Sequence, residues 1–336
     1  MRVLVIGGTG NISTAITREL LARGDDVTLY TRGHHRIPAG CRSLVGDRTQ
    51  HAAFEAQMAD VGPYDAVIDM VGYAAEDAAS AVRAFRGRVG QYLFCGTVDV
   101  YTKPAACYPV SEDFPRHPSP TFHYAYQKML CENILFEAQA KGELPVTVLR
   151  PAATYNATWS PIAMLGPGTA LLRRIRLGQP VIVLGDGSSL WSSCHRDDVA
   201  RAFVAALGNP ATFGQAYNLT GDECMTWEAY YQTVARVLQA PAVSFIRIPT
   251  CMLSRMAPRD AEGCVENFQY HSVYHNISAK TTLGFQYTVC WEAGVQSMVA
   301  WHEERGLLAD IPAYPLYDAV IAEWQQLVQS LFLHHG

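Results

Sequence analysis

Tyr124 and Lys128 are the residues of this chain whose types and spacing best suit proton chemistry. Four residues apart on a helix, they share one face. A free phenol, with a pKa of about 10, is a poor base at neutral pH. An ammonium one turn away, joined by a second positive group, stabilises the phenolate and is expected to lower that value. Tyr124 can then take a proton from an alcohol as hydride leaves, or return it to a carbonyl oxygen. The pairing alone is common by chance, and Tyr126 offers a competing hydroxyl that falls on another face. The segment Phe94-Cys-Gly-Thr-Val-Asp-Val-Tyr101 tips the balance. It closes a predicted strand upstream of the helix, and ligands gather at the carboxyl ends of strands in such sheets. Thr97 there can hydrogen-bond the reacting oxygen and hold it beside Tyr124. Asp99 can act as a base or touch the substrate; a turn aspartate that satisfies backbone N–H groups is the competing reading.

Gly7-Gly8-Thr9-Gly10-Asn11-Ile12-Ser13 lies directly between a predicted strand and a predicted helix. Glycines there let the backbone turn sharply and approach a pyrophosphate, whose charge meets the helix N-terminus. Gly7, Thr9, Gly10, Asn11 and Ile12 are therefore candidate contacts of a dinucleotide, with Ser13 where a third glycine often lies. A nicotinamide ring would be the second positive group near Tyr124. The next strand ends in Tyr30-Thr31-Arg32-Gly33, without the carboxylate that grips the adenosine ribose of NAD. Arg32, helped by Arg36, suits a 2′-phosphate, so an NAD(P) cofactor with NADP favoured over NAD is expected; a solvated loop arginine is the alternative. Asp47 and Arg48 follow the third strand and are further cofactor candidates, Asp47 as acceptor from the adenine amine.

These groups need a scaffold that alternates strands and helices. Short β-rich runs at Arg2–Ile6, Val27–Thr31, Ser43–Val45, Ala66–Met70, Gln91–Cys95 and Val146–Arg150 alternate with helical patterns, including Ile12–Arg23 and Tyr124–Ala140. That rhythm predicts an α/β fold, a doubly wound parallel (Rossmann) sheet. After residue 150 it breaks. Residues 1–150 are expected to bind the dinucleotide, with 192–206 returning to that domain, and 151–336 to form a smaller C-terminal substrate lobe with the last helices. Residues 250–275 show little periodicity and read as a mobile loop, and Tyr317 to Leu333 as a packed amphipathic helix. His34-His35 reads as a solvated pair, His334-His335 as a frayed end, and His195 as a cap near Asp198.

The composition narrows the partners. A net charge of -5 gives no electrostatic reason to expect nucleic acid or an anionic membrane. Nine scattered cysteines with no CxxC pair point to reduced thiols, and no His/Cys/carboxylate spacing suggests a metal. With no leader pattern and no apolar run of about 20 residues, a cytoplasmic protein is expected.

On these residues the chain resembles the extended short-chain dehydrogenase/reductase superfamily, in particular its NAD-dependent epimerase/dehydratase family. The Gly7/Gly10/Ser13 turn, Thr97 and Tyr124/Lys128 carry the resemblance in the first half. Arg150-Pro151, Gly185-Asp186-Gly187, Asp197-Asp198-Val199-Ala200 and Ser278–Phe285 extend it through the second. The resemblance implies that Met70, Val71 and Pro151 lie by the cofactor and that Thr97, Tyr124 and Lys128 are catalytic.

Two departures bear on the substrate. Members that act on nucleotide-diphosphate sugars usually carry an arginine after the Gly-Asp-Gly turn, where this chain has Trp191. Arg173, Arg174 or Arg176 could substitute, and Trp191 or Tyr155 could meet a substrate ring; packing within the lobe is the plainer reading of Trp191. Val98 stands where dehydratases often carry a polar residue. The leading expectation is an enzyme of epimerase/dehydratase type that moves a hydride at a secondary alcohol or ketone of a sugar or sugar-like substrate. An NADPH-dependent reductase of a non-sugar ketone and a non-catalytic nucleotide- or RNA-binding scaffold are the rivals. A homodimer formed through the last helix, or through the helices after strands four and five, is the expected assembly.

Overall fold

The computed structural model describes residues 1–308 and 311–333, so the His334-His335 expectation lies outside the described residues. Two compact units emerge, each built from separate chain segments. The first comprises Met1–Thr154, Ser193–Asp222 and Tyr274–Thr288. The second comprises Tyr155–Ser192, Glu223–Val273 and Val289–Gly336. Residues 207–222 and 274–288, placed in the substrate lobe from the sequence, thus pack with the first unit.

The first unit holds a seven-stranded, all-parallel sheet. In chain order its strands are β1 (Arg2–Ile6), β2 (Asp26–Thr31), β3 (Arg42–Val45), β4 (Tyr64–Asp69), β5 (Val89–Cys95), β6 (Val146–Pro151) and β7 (Gln215–Leu219). They lie in the order β7-β6-β5-β4-β1-β2-β3. Its helices are α1 (Asn11–Ala22), α2 (His51–Asp60), α3 (Ala75–Phe85), α4 (His123–Ala140), α5 (Arg196–Ala206) and α6 (Ile277–Leu283).

The continuous apolar run of β1 follows from burial on both sheet faces. Val3 and Val5 join the core with Ile16 and Leu20 of α1 and Val199 and Phe203 of α5. Leu4 and Ile6 join the opposite core with Phe54 of α2, Phe85 of α3 and Leu135 of α4. Helix α1 stops because Gly24 takes φ +83, a left-handed turn that only glycine adopts without strain. The chain runs outward from β1 through β2 to β3, then restarts on the other side at β4. The crevice beyond the carboxyl ends of β1 and β4 is therefore the switch point where such sheets bind ligands.

In the second unit, Val181–Leu184 pairs in parallel with Phe245–Ile248, and Leu190–Trp191 pairs antiparallel with Met225–Thr226. Helices Gly168–Arg176, Trp227–Val237, Trp291–Glu304 and Pro315–Leu333 surround them. The last of these docks by Tyr317, whose hydroxyl accepts from Ile182 N at 2.7 Å. Residues 250–275 are not a loop: helix Thr250–Met256 and a π-helical turn at Cys264–Phe268 occupy much of the stretch. The signal was present but short, since Leu253, Ala257, Ala261 and Cys264 recur at helical spacing and are all buried.

Candidate active site

The glycine turn is shaped by close approach. Gly7 has φ +86, and a Cβ there would stand 2.4 Å from Val71 Cγ1, the side chain that follows β4. A Cβ on Gly8 would stand 2.5 Å from Leu29 Cδ2. Ser13, in place of a third glycine, is buried, and its Oγ accepts from Gly10 N at 2.8 Å, which ties the turn to the first helical residues. Beside the turn lies a cavity of about 400 Å³. Gly7, Thr9, Gly10, Arg32, Asp47, Arg48, Val71 and Tyr73 line it, together with Tyr30, His34 and His35. Arg32 is exposed at its rim, at the end of β2, and the His34-His35 pair is also exposed. Asp47 accepts from Thr49 N and Oγ1 at 2.9 and 2.8 Å, and these bonds hold its carboxyl below the usual range.

Several expected cofactor contacts are engaged elsewhere. Arg48 borders the cavity but is 5% exposed, and its guanidinium bonds Asp77 O, Asp69 Oδ2 and Ser80 Oγ and lies 4.2 Å from the Phe54 ring centroid. It is a buried structural cation, because Asp69 and Asp77 converge on it from β4 and α3. Asn11 spends its amide on Thr154 O at 3.0 Å, and Ile12 packs against the core. Met70 is buried in the same core, while Val71 reaches the cavity. Pro151 ends β6 opposite Leu219.

The proton-transfer groups gather at the end of β5. Gly96 has no room for a side chain, since a Cβ would stand 2.6 Å from Glu132 Oε1. Thr97 then caps a short 3-10 turn, Val98–Val100, by accepting from Asp99 N at 3.2 Å. In the first turn of α4, Tyr124 is placed so that Thr97 favours ionisation of its phenol. The residue is 43% exposed, yet its phenol is desolvated and lies within the field of Asp99.

Burial, then the Asp99 charge, pushes the Tyr124 phenol well above its ordinary value, and Thr97 offsets only part of this. Lys128 is 1% exposed and donates to Gly72 O at 2.9 Å and Cys95 O at 2.7 Å. Its ammonium lies 4.7 and 4.8 Å from the ring centroids of Tyr73 and Phe94. In the protein alone Tyr124 is therefore a phenol at neutral pH.

Asp99 is held by Lys103, with Oδ1 2.7 Å from Nζ. Sequence reasoning missed Lys103, although its spacing of four from Asp99 was visible. The pair lies outside any α-helix, so that spacing carried no geometric meaning by itself. Tyr73 was also missed, two residues beyond Val71 on the cavity wall.

The second unit contradicts two substrate assignments. Trp191 is 4% exposed, stacked on Trp227 with centroids 4.7 Å apart and edge-on to Phe268. Tyr155 is buried edge-on to Trp291, its hydroxyl donating to Val289 O at 3.2 Å. Both rings are core. Arg174 is equally committed, paired with Asp318 at 2.7 Å and lying over the Tyr317 ring. In the first unit, His195 caps α5 by accepting from Asp197 N at 3.3 Å.

The arrangement can bind a dinucleotide and give a proton to a carbonyl oxygen, and comparison with known proteins agrees with that class. The chain is 28% identical over 276 residues to 2′-dehydrokanamycin reductase of Streptomyces kanamyceticus, covering 82% of this chain and 76% of that one. It is 26% identical over 255 residues to the chloroplast stem-loop binding protein of 41 kDa b of Arabidopsis thaliana, covering 70% of this chain but 62% of that one. Its fold matches a short-chain dehydrogenase/reductase superfamily protein from Agrobacterium tumefaciens solved with bound NAD, with TM-score 0.70, 19% identity, and 91% and 98% of the two chains covered. Residues 3–220 match the model of the NAD dependent epimerase/dehydratase family. The chain belongs to that family and is an enzyme of the extended short-chain dehydrogenase/reductase type.

Proposed function

We propose that the protein is an NAD(P)-dependent oxidoreductase that reduces a ketone to a secondary alcohol on a sugar or sugar-like molecule without a nucleotide diphosphate, with Tyr124 as the acid. The observation that carries this reading is buried Lys128, one turn along α4 from Tyr124, held by Gly72 O and Cys95 O and over the ring of Tyr73, which lines the glycine-lined cavity. The protein fits the cofactor at the turn where a Cβ on Gly7 would strike Val71. Gly7, Thr9 and Gly10 would hold the pyrophosphate, Arg32 and Asp47 the adenosine end, and Val71, Tyr73 and Lys128 the nicotinamide end. A bound reduced nicotinamide supplies hydride to a carbonyl carbon. Thr97 orients the carbonyl oxygen, Tyr124 gives it a proton, and Lys128 supports the phenolate that remains.

Reduction is favoured over elimination for two reasons. The raised Tyr124 keeps its proton at neutral pH, and Asp99 is bound to Lys103 rather than free to act as base. Trp191 is buried where the family's diphosphate-binding arginine usually stands, and Arg174 is committed to Asp318, which supports a substrate of the kind named for the kanamycin relative. Exposed Arg32, with no carboxylate beside it in the sequence, supports NADPH over NADH. A second reading, epimerisation with retained cofactor, is favoured by the family match.

One experiment tests these together. The nucleotide that co-purifies is identified, and ketosugars and other ketones are screened by the absorbance of reduced cofactor. Steady loss of NADPH supports reduction; turnover without net loss moves the reading to epimerisation. Neither with any ketone or sugar overturns it.

A further inference from the structure

The turn after β5 carries a second cation beside the proposed acid. Asp99 divides its carboxylate: Oδ1 takes the Lys103 ammonium at 2.7 Å, while Oδ2 accepts from Thr97 Oγ1 at 3.4 Å. The Tyr124 phenol responds to both groups: Thr97 favours its ionisation and the Asp99 charge opposes it. Lys103 is nearly buried, its side chain 9% exposed, and its ammonium lies 5.9 Å from the centroid of Phe122. The Phe122 ring in turn lies 6.2 Å from that of Tyr124. Acid, hydroxyl, carboxylate and cation are thus coupled.

We propose that Lys103 is a positioning residue for the proton transfer: its ammonium holds Asp99 on Thr97 and cancels part of the push of that carboxylate against negative charge on Tyr124. The proposal rests on the reading of Tyr124 as the acid. The other groups that face the phenol are Cys95 from β5 and Tyr73 from the loop after β4, and both oppose its ionisation, as Asp99 does. Lys128, on the same helix as Tyr124, is bound to two carbonyls. Lys103 is the cation that pairs with the opposing carboxylate.

The balanced step shows why this matters. The carbonyl carbon takes hydride from the reduced nicotinamide, the C=O π pair moves to oxygen, and that oxygen takes the Tyr124 proton and leaves a phenolate. The carbonyl is reduced and the nicotinamide oxidised. A stronger acid transfers its proton faster. Removing Asp99 makes the phenol a stronger acid; removing Lys103 leaves Asp99 uncompensated and makes it a weaker one. A merely structural role would slow both variants.

The test is single-turnover ketone reduction by the full chain, saturated with NADPH and using a ketone found by the screen. Asp99→Asn is expected to be about three- to tenfold faster than wild type and Lys103→Met about three- to tenfold slower, since nearby charges move acidity by about 1–2 pH units and roughly half reaches the rate. Lys103→Arg restores the wild-type rate to within about twofold, because it keeps the cation. Equal slowing of both variants, no change in either, or a change confined to KM overturns the proposal. If Lys103→Met does not fold, Lys103→Gln with Asp99→Asn gives the same test of sign. Tyr124→Phe separates the two levels. If it turns over normally, the acid assignment fails; if it is inactive while the Asp99 and Lys103 variants match wild type, the role of Lys103 alone fails.

Discussion

Two of the cations that the first unit buries, Arg150 and Lys128, are treated in opposite ways. Arg150, at the end of β6, is neutralised. Its Nη2 and Nε meet Glu132 Oε2 and Oε1 at 2.8 and 3.1 Å, and its Nη1 donates to the Tyr101 hydroxyl at 2.7 Å and to Glu112 O at 3.0 Å. Glu132 also takes Arg116 at 2.7 Å. Lys128 meets two backbone carbonyls and two ring faces, all neutral. Partial charges and quadrupoles can hold an ammonium in place without cancelling its charge. A buried charge that is fully paired serves the fold, whereas one held by neutral groups keeps its field for chemistry.

That contrast can be broken by substitution, and the largest expected effect is on stability. Glu132→Ala strands the Arg150 guanidinium and should cost about 3–5 kcal/mol in urea unfolding, while single-turnover reduction by the folded protein changes less than about threefold. Replacing Glu132 and Arg150 together by leucine and methionine should cost less than the single change, because no charge is left unpaired. Lys128→Met should reverse the pattern. Reduction falls about 100-fold, on the order of the loss of one electrostatic catalytic group, while stability shifts by less than about 2 kcal/mol. If Lys128→Met instead unfolds the protein as badly as Glu132→Ala, the contrast is wrong.

Two smaller effects sharpen the comparison. Arg32 is a cation exposed to solvent at the cavity rim. Arg32→Ala should weaken NADPH binding about tenfold in a fluorescence titration and leave NADH unchanged, as expected from the loss of one arginine–phosphate pair. Equal weakening of both cofactors would remove the case for the 2′-phosphate. Trp191 is the neutral counterpart, a buried polar group with no partner at Nε1. Trp191→Phe should cost about 1–3 kcal/mol, from the cavity left by the smaller ring, and leave reduction intact, since no hydrogen bond is lost. A large loss of activity would restore Trp191 to the substrate site.

The sequence was most informative where local physics decides. Burial on both faces writes β1 as an apolar run, and the close approach of Gly7 to Val71 writes the glycine turn, so strand, turn and α1 are legible from residues 2–24 alone. Strand β7 was not, because Gln215–Leu219 is short, carries buried Asn218 and owes its place to pairing with β6 far back in the chain. Tyr124, Thr97 and Lys128 were found through spacing and strand-end position. The partners of Lys128 were not, since its acceptors come from the loop after β4 and the last residue of β5. Arg48 shows the same limit: an arginine in a Gly-Asp-Arg turn reads as a cofactor contact until Asp69 and Asp77 are brought to it. For Trp191 and Tyr155 the choice between packing and a ligand surface stayed open, because an aromatic ring in a sequence does not reveal whether another ring covers it.

The most direct test of the account is the Tyr124→Phe variant, measured twice: NADPH binding by fluorescence, and single-turnover ketone reduction. Binding within about twofold of wild type, with reduction slowed by about 100- to 10,000-fold, is the predicted result. Reduction within about threefold of wild type, with NADPH still bound, would mean that another group delivers the proton and would contradict the central claim.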